Sequence, residues 1–418
     1  MPLQKNQVLT LRVERLSSDG SGVAHSPDGE AVFIPGAAPG DEARVRIVKD
    51  CKRYAFGILD EVLTPSPDRI PVDCAVAGPC GGCSLRHLDY AAELRAKQEN
   101  VADAFARIGG LDVPVLPIVG SPEVNRYRNK VQFPVGVDKS GKPCIGFYAG
   151  RTHRIVPCPD CRLQPGVLNE IGNALCAFFA EKGIQPYSEE TGRGLVRHIF
   201  LRRGAHSGQI MVCLVCTRAR LPSAEELCTR LKAQFAEITT ILLNVNAKNT
   251  NVILGTETHT LYGPGYIEDT LCGVPVQLGP LSFYQVNTLA AEQLYGIAAQ
   301  YAQLTPDDLL LDLYCGMGTI GLSMAAHCRE LIGVEIVPEA IESAKANAAR
   351  MGTDVAAKSR FFCADAGQAA TRLAAEGLHP DIVMLDPPRK GCDEATLSAV
   401  VRMSPRRVVY VSCNPATA

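Results

Sequence analysis

A candidate reaction centre lies near the end of this sequence, where two predicted strands lead into polar segments. One strand leads into Asp386-Pro-Pro-Arg-Lys-Gly391, and the next leads into Ser412-Cys-Asn-Pro415. Because Ser-Cys-Asn-Pro is a polar exit turn, we interpret Cys413 as a reactive thiol rather than a buried structural cysteine. In a parallel sheet, Cys413 and Asp386 then lie at the same edge. A thiol beside a carboxyl group predicts nucleophilic catalysis.

A glycine-rich turn earlier in the sequence is a candidate cofactor site. A buried strand ends at Asp312, and the turn that follows contains Gly316-Met-Gly-Thr-Ile-Gly321. Glycines let the backbone approach a ligand closely, and the next helix has free N–H groups at its N-terminus. The G-x-G-x-x-G spacing taken alone is a weak signal and leaves a dehydrogenase that binds NAD open.

Carboxylates after three successive predicted strands favour a different cofactor. They are Asp312, Glu335 and Asp365. Asp312 would repel a pyrophosphate but suits a cationic methionine group. Glu335 is placed to accept hydrogen bonds from both ribose hydroxyls, and Asp365 is within reach of an adenine amine. One carboxylate at a strand end is common, but three in succession favour S-adenosylmethionine over NAD.

A thiol and a methyl donor together indicate methylation of carbon. C5 of uracil is a weak nucleophile, and addition of a thiolate to C6 turns it into an enolate carbon that accepts a methyl group. Asp386 would hydrogen-bond the uracil edge and stabilise the developing charge. Asp-Pro-Pro is also typical of amino-methyltransferases, which place an aromatic residue after the prolines. Here Arg389 stands at that position.

The 17 cysteines fall into two groups. Most lie among aliphatic residues and are interpreted as small buried hydrophobic residues, for example Cys176, Cys213, Cys216, Cys272 and Cys363. The others have polar, glycine or proline neighbours, namely Cys74, Cys80, Cys83, Cys158 and Cys161, together with Cys413. Paired C-x-x-C units at a distance predict a metal site, for which zinc is the default occupant.

RNA binding is expected at a local basic patch, because the net charge of the whole chain is only −2. Basic residues interleave with an aromatic residue in Arg126-Tyr-Arg-Asn-Lys130, which offers phosphate contacts and a stacking face. Four further arginines extend the predicted patch: Arg193, Arg197, Arg202 and Arg203. The uridine is expected to be flipped out of a single-stranded loop, since C6 is not accessible in a stack.

The fold class predicted from these patterns is a multidomain one. Short strands with glycine corners over residues 1–63 predict an OB-like β-barrel. Mixed strands and helices over 64–278 predict a central α+β domain that carries the cysteine cluster. Strict alternation over 279–418 predicts a Rossmann-like α/β methyltransferase domain, with its ligand site at the carboxyl ends of the strands.

Length and composition exclude several classes of protein. The 418 residues are 46% hydrophobic and 21% charged, which excludes a disordered chain or a small disulfide scaffold. No apolar run approaches the roughly 20 residues that span a bilayer, and no signal peptide is evident before Leu11. We therefore expect a cytoplasmic protein without a membrane partner, and a monomer.

Taken together, the motifs resemble those of the RNA 5-methyluridine methyltransferases that use S-adenosylmethionine. The resemblance covers nearly the whole sequence. It includes a TRAM-like barrel and cysteine cluster, Tyr127–Lys130, Phe283-Tyr-Gln-Val-Asn287, Asp312–Gly318, Asp386–Gly391 and Ser412–Thr417. The last two motifs are the most specific.

The resemblance implies roles for individual residues. Cys413 is the nucleophile, and Gln285, Tyr314, Glu335 and Asp386 contact cofactor or uracil. Thr319 and Asp365 fall at further cofactor positions of the family. The cysteine pattern holds a 4Fe-4S cluster in the family, with Cys74, Cys80, Cys83 and Cys161 as the ligands and Cys158 as a neighbour.

The family's general base is a glutamate in a segment that follows the cysteine. Since the sequence stops at Ala418, we expect this base to lie beyond it, in a C-terminally truncated domain. The predicted substrate is 23S rRNA, because tRNA-specific relatives generally lack both the barrel and the cysteine cluster. The alternatives are a tRNA uridine C5-methyltransferase, an N-methyltransferase of the Asp-Pro-Pro type, and a non-catalytic RNA-binding module.

Overall fold

The computed structural model describes residues 3–417 and divides into two compact units. One unit comprises Met1–Gly120 and Phe147–Val156, and the other comprises Ser121–Gly146 and Pro157–Ala418. Within residues 3–417, we find no helix with the length and apolar character needed to cross a membrane.

The first unit contains the small closed barrel that the sequence predicts. Its five strands follow the order β1-β2-β3-β5-β4. Their bounds are β1 Val8–Leu16, β2 Gly22–His25, β3 Ala31–Ile34, β4 Glu42–Asp50 and β5 Tyr54–Thr64. Inward positions alternate with outward ones, so Val13, Val32 and Val45 fill the interior. Helix α1, Tyr90–Asp103, follows and continues as a π-helical turn over Ala104–Ile108.

The proline-rich segment after the barrel, residues 64–71, is held by a buried ion pair. The Asp41 carboxylate is fully buried and accepts hydrogen bonds from the Ser66 amide and from the Arg69 guanidinium, the latter at 2.7 Å. A buried charge needs such partners. This ion pair therefore fixes the proline-rich segment against the barrel.

Most strands of a seven-stranded sheet of order β12-β11-β10-β9-β6-β7-β8 belong to the second unit. The strands are β6 Lys130–Val137, β7 Pro143–Tyr148, β8 Ile155–Pro157, β9 Val196–Arg203, β10 Ile210–Cys216, β11 Ile238–Val245 and β12 Glu257–Tyr262. Helices α2, Gly166–Lys182, and α3, Ala224–Gln234, belong to the same region, and β13 Ile267–Leu271 pairs with β14 Val274–Leu278. Every residue of β10 is buried, as its unbroken apolar run indicates.

A five-stranded parallel sheet of order β17-β16-β15-β18-β19 completes the unit. Its strands are β15 Leu309–Leu313, β16 Glu330–Glu335, β17 Ser359–Cys363, β18 Ile382–Leu385 and β19 Arg407–Tyr410. The helices are α4 Thr288–Ala302, α5 Thr319–Met324, α6 Pro338–Arg350, α7 Thr353–Lys358, α8 Ala366–Ala375 and α9 Glu394–Met403. The strand order reverses between β15 and β18, which is where an open α/β sheet binds its ligand.

Of the cysteines that the sequence assigns to the core, one is exposed and another packs against the core while only partly buried. Cys176, Cys213 and Cys216 are buried as expected. Cys363, however, is exposed, because it is the last residue of the edge strand β17, and Cys272 is only partly buried in the turn between β13 and β14. An aliphatic neighbourhood in sequence does not reveal where an edge strand ends.

Candidate active site

The parallel register brings the predicted site residues to one edge of the sheet. Leu313 of β15 is level with Leu385 of β18, which is level with Tyr410 of β19, and Glu335 of β16 is level with Cys363 of β17. The segments that follow these strands therefore start from a common line. The ends of the strands and these following segments together carry every predicted catalytic or cofactor residue except Gln285.

The buried side chain of Asp312 is hydrogen-bonded to the end of the glycine-rich turn. Its side chain is 1% exposed, and its Oδ2 accepts a hydrogen bond of 3.0 Å from the Gly321 amide. A Cβ on Gly321 would lie 2.8 Å from that oxygen, so the close approach requires glycine. Burial raises the pKa of Asp312 to about 8. Its Oδ1 is buried and has no hydrogen-bond partner within residues 3–417.

The turn itself has an unusual backbone. Tyr314, Gly316 and Gly318 have φ angles of 65°, 55° and 80°, which places a tyrosine in the left-handed region that favours glycine. Glu335 holds this backbone, since its Oε2 accepts from the Gly316 amide at 3.1 Å. Its Oε1 accepts from the amides of Ile336 and Val337. The carboxylate that the sequence assigns to ribose hydroxyls thus also fixes the loop.

The remaining predicted cofactor residues lie around this loop. Thr319 is the first residue of α5 and is 8% exposed. Asp365 caps the N-terminus of α8, accepting from the Gln368 amide at 3.1 Å. The Tyr314 hydroxyl lies 3.4 Å from Thr396 Oγ1, so the side chain packs towards α9.

Asp386 stands apart from the other carboxylates of this edge. It is half-buried at the end of β18, and burial raises its pKa to about 6. In the part of the chain that the structure describes, residues 3–417, it accepts no hydrogen bond. Its carboxyl group therefore remains available to a substrate.

The segment that carries Cys413 contacts the Asp386–Gly391 segment. Cys413 is exposed. Thr417 Oγ1 donates a hydrogen bond of 3.0 Å to the Arg389 carbonyl. Gly391 has a φ of 79°, and a Cβ there would lie 2.5 Å from the Thr417 carbonyl oxygen. The two polar segments after β18 and β19 are thus packed together, as the predicted reaction centre requires.

Two buried polar residues, Arg202 and Asn129, hold the loop before α4. The sequence placed Arg202 in the basic patch and gave Asn129 no role of its own. Arg202 is 1% exposed, and its guanidinium donates to the carbonyls of Gly279 and Ser282 at 2.7 Å each. The Asn129 amide donates to the Gln285 carbonyl at 2.7 Å. Half-buried Gln285 is therefore presented by a braced loop. The hydrogen bond joins two of the family motifs, Tyr-Arg-Asn-Lys and Phe-Tyr-Gln-Val-Asn. The sequence of neither motif indicated that the two segments are in contact.

The predicted basic patch is smaller than the sequence indicates. Arg202 and Arg197 are buried, and the Arg197 guanidinium donates to the Lys248 carbonyl at 2.6 Å. These two arginines are structural, and their inclusion in the patch was wrong. They lie on opposite faces of β9, and both faces of this strand are covered from Val196 to Arg202, so neither arginine reaches the surface. Arg126 pairs with Asp160 at 2.8 Å and donates to the Cys161 carbonyl.

The cysteines of the predicted cluster are divided between the two units, with Cys74, Cys80 and Cys83 in the first and Cys158 and Cys161 in the second. Cys158 hydrogen-bonds the Cys161 sulfur, which is the main cause that lowers the pKa of Cys161 to about 6. Cys74 and Cys80 are half-buried and Cys83 is exposed. Among residues 3–417, no three His, Cys, Asp or Glu side chains are arranged to hold a metal ion. We derive no step through a cluster.

Comparison with known families decides the assignment. Residues 206–418 match the model of the tRNA (uracil-5-)-methyltransferase family, and residues 2–59 match the TRAM domain. The chain belongs to the tRNA (uracil-5-)-methyltransferase family. It is thus an RNA methyltransferase of the uracil-C5, S-adenosylmethionine-dependent class, with a TRAM barrel at its N-terminus, as the motifs predict.

Relatives match over the entire chain. An uncharacterized RNA methyltransferase of Halalkalibacterium halodurans is 42% identical over 417 residues, which cover 100% of this chain and 90% of the relative. One of Oceanobacillus iheyensis is 40% identical over 418 residues, with the same coverage. The crystal structure of Pyrococcus abyssi tRNA (uracil-54, C5)-methyltransferase in complex with S-adenosyl-L-homocysteine is 25% identical. It has a TM-score of 0.76 and covers 98% of this chain and 91% of its own.

The glycine-rich turn fits the methyl donor of this family. Its left-handed residues leave the backbone open to a ligand, and Glu335 holds the Gly316 amide in place. The unpartnered Oδ1 of Asp312 adds an uncompensated polar atom beneath the turn. These features suit a cofactor that carries a cationic sulfonium group.

Proposed function

We propose that this protein transfers the methyl group of S-adenosylmethionine to C5 of a uridine in 23S rRNA through a covalent Cys413–uracil C6 adduct. The packing of the exposed Cys413 segment against the Asp386–Gly391 segment supports this proposal most directly, through the Thr417 and Gly391 contacts. An exposed thiol and an unoccupied carboxyl group on two touching segments can act on one base.

The chemistry divides between these two groups. The Cys413 thiolate adds to C6, a C6–S bond forms, and the electron pair of the C5–C6 double bond moves towards the C4 carbonyl oxygen. In the protonated form that burial favours, Asp386 donates a hydrogen bond to the uracil edge and stabilises that charge. S-adenosylmethionine supplies the methyl group that C5 then takes. A general base then accepts the C5 proton, the electron pair of that C–H bond restores the C5–C6 double bond, and the C6–S bond breaks and releases the thiolate.

The proposed cofactor residues are those that frame the glycine-rich turn and the ends of its neighbouring strands. They are Gln285, Tyr314, Thr319, Glu335, Asp365 and Asp386. Their positions around the turn that follows β15 support the proposal, since this is the switch point of the sheet.

The RNA is proposed to present a flipped uridine. Phe283 is 75% exposed and stands two residues before Gln285. An exposed aromatic ring is a stacking face for an unpaired base. Phe283 would supply the aromatic stacking that an N-methyltransferase obtains from the residue after the two prolines, where this chain has Arg389. The family assignment also favours methylation of carbon over N-methylation and over a non-catalytic RNA-binding module.

A tRNA uridine is the second candidate substrate. The Pyrococcus abyssi relative is named for uracil-54 of tRNA, and it matches 98% of this chain, so the barrel does not by itself distinguish rRNA from tRNA. A C5-methyltransferase of tRNA would use the same residues and the same adduct.

The decisive experiment uses 5-fluorouridine transcripts of 23S rRNA fragments and of tRNA with S-adenosylmethionine. Fluorine at C5 cannot leave as a proton, so the adduct accumulates without any need for the general base. We expect an adduct with an rRNA fragment that survives denaturation. An adduct with tRNA alone would show that the substrate is tRNA and not 23S rRNA, and it would support the same cysteine mechanism. No adduct with either transcript, despite cofactor binding, would exclude the cysteine mechanism.

The 4Fe-4S cluster on Cys74, Cys80, Cys83 and Cys161 stays a prediction, as do the cytoplasmic location and the monomeric state. Anaerobic purification followed by iron and zinc analysis tests the prediction of the cluster. Iron with a broad visible absorption band that disappears in Cys83→Ser would support the cluster. Zinc without colour would support the zinc alternative, and neither metal would contradict both.

A further inference from the structure

Tyr295 is a buried tyrosine next to the proposed site that neither motif nor family assignment singles out. It lies on α4, and its side chain is 4% exposed. It belongs to the apolar core that also contains Met317 and Ile320, which flank the end of the glycine-rich turn. Its ring is thus packed behind the loop that is proposed to hold the cofactor.

The hydroxyl of Tyr295 links two segments that are distant in sequence. It lies 3.5 Å from Thr319 Oγ1, at the start of α5, and it is hydrogen-bonded with the side chain of Gln285, which precedes α4. A phenol can donate one hydrogen bond and accept others, so a single oxygen can join both partners.

The same hydroxyl faces carboxyl groups of the site. Burial, and then the nearby carboxylates of Asp386 and Asp312, raise the pKa of Tyr295 to about 12. The hydroxyl therefore keeps its proton at neutral pH, and it remains a hydrogen-bond donor.

Tyr284, in the same core, shows what a purely local tyrosine contact looks like. Its hydroxyl donates to Asp269 Oδ2 at 3.1 Å and to the Thr270 carbonyl at 3.2 Å. Neither partner is a proposed cofactor or substrate residue. Both hydrogen-bond partners of the Tyr295 hydroxyl are proposed cofactor residues.

We propose that Tyr295 is a positioning residue, whose hydroxyl holds the Gln285 side chain and Thr319 at a fixed spacing beside Asp386 and thereby sets the affinity for S-adenosylmethionine. The inference rests on the proposed function, because that function assigns Gln285 and Thr319 to the cofactor.

The test is Tyr295→Phe, which removes only the hydroxyl. We expect the Kd for S-adenosylhomocysteine, measured by calorimetry without RNA, and the KM for S-adenosylmethionine to rise about three- to tenfold. The effect on kcat is expected to be smaller. Tyr301→Phe is the matched control, since Tyr301 lies on the same helix and is 50% exposed. A merely structural role would lower the Tm and leave both constants unchanged.

A double-mutant cycle with Thr319→Val tests the route of the effect. If the hydroxyl acts through Thr319, the double variant loses less affinity than the sum of the two single losses. A Kd and KM within twofold of the wild type in Tyr295→Phe, or full additivity, would overturn the proposal. If Tyr295→Phe does not fold, Thr319→Val carries the test, and an unchanged affinity overturns it.

The readouts separate this inference from the proposed function. Calorimetry with S-adenosylhomocysteine involves no RNA, so weakened binding in Tyr295→Phe supports the positioning role even if no transcript gives an adduct. If Tyr295→Phe forms the RNA adduct and binds S-adenosylhomocysteine with the wild-type affinity, the positioning role is overturned and the proposed function stays intact.

Discussion

The carboxylates at the ends of β15, β16 and β17 accept hydrogen bonds from nearby backbone amides, whereas Asp386, which follows β18, accepts no hydrogen bond from residues 3–417. Asp312, Glu335 and Asp365 each hold a turn or a helix start. We call these segments the cofactor half of the sheet edge, and the segments after β18 and β19 the reaction half. The cofactor half is preorganised by its own backbone, and the reaction half leaves its polar groups for a substrate.

The largest expected effect is on the reaction half, from Cys413→Ala. Loss of the nucleophile is expected to reduce methylation at least about 10⁴-fold and to abolish the 5-fluorouridine adduct. Affinity for S-adenosylhomocysteine should persist, since the cofactor half is untouched. The control is Cys363→Ala, because Cys363 is also exposed at a strand end. An adduct formed by Cys413→Ala would contradict the division between the two halves.

Asp386→Asn should have the next largest effect. An amide keeps the shape but cannot supply the same proton or charge, and we expect the rate of adduct formation to fall about 10²–10³-fold. Glu394→Gln, an exposed acidic residue in the first turn of α9, is the control. An adduct rate within threefold of the wild type would remove Asp386 from the reaction.

A smaller effect is expected in the cofactor half from Glu335→Gln. The carboxylate accepts from three amides, and a side-chain NH₂ group would meet one of those N–H donors. We expect the Kd for S-adenosylhomocysteine, measured by calorimetry, to rise about tenfold. Glu330→Gln, at the opposite end of β16, is the control and should bind normally. Unchanged affinity in Glu335→Gln would show that the loop does not depend on this carboxylate.

The smallest effect concerns stability and distinguishes the halves by pH. Folding raises the pKa of Asp386 from 3.8 to about 6, because burial disfavours the charged carboxylate. The folded protein therefore loses stability as the pH rises from about 4 to about 6 and this side chain ionises. Above pH 6 the buried charge is a cost that Asp386→Asn removes. We expect the Tm of the variant to exceed that of the wild type by about 2–4 °C at pH 8.

At pH 3.5 both forms are neutral at this position, and their Tm values should coincide. Scanning calorimetry of both proteins across pH 3.5–8 measures this. A variant that is less stable than the wild type at pH 8 would mean that the Asp386 carboxylate has a stabilising partner.

Much of the site was predictable because it lies at strand ends. Alternating strands and helices predict a parallel sheet, and a parallel sheet places Asp312, Glu335, Asp386 and Cys413 at one edge without further information. The polarity of Ser-Cys-Asn-Pro distinguished Cys413 from the core cysteines. The barrel was predictable from short strands and glycine corners.

Burial of individual polar side chains was not predictable. Arg202 and Arg197 have the composition of an RNA-binding patch, yet they lie inside and bind backbone carbonyls. Cys363 has the neighbours of a core residue, yet an edge strand exposes it. Which face a residue takes depends on strand register and on the neighbours that the fold supplies.

The sequence by itself determined the residue types, their order and the strand ends at which they stand, since local periodicity encodes these. Tertiary structure alone decided which of them are committed to the protein's own backbone. Asp312 and Asp386 are both strand-end aspartates in sequence, but only the fold gives Asp312 the Gly321 amide and leaves Asp386 without a partner in residues 3–417. Hydrogen bonding between segments far apart in the chain requires the folded geometry, and that geometry separates structural carboxylates from a reactive one.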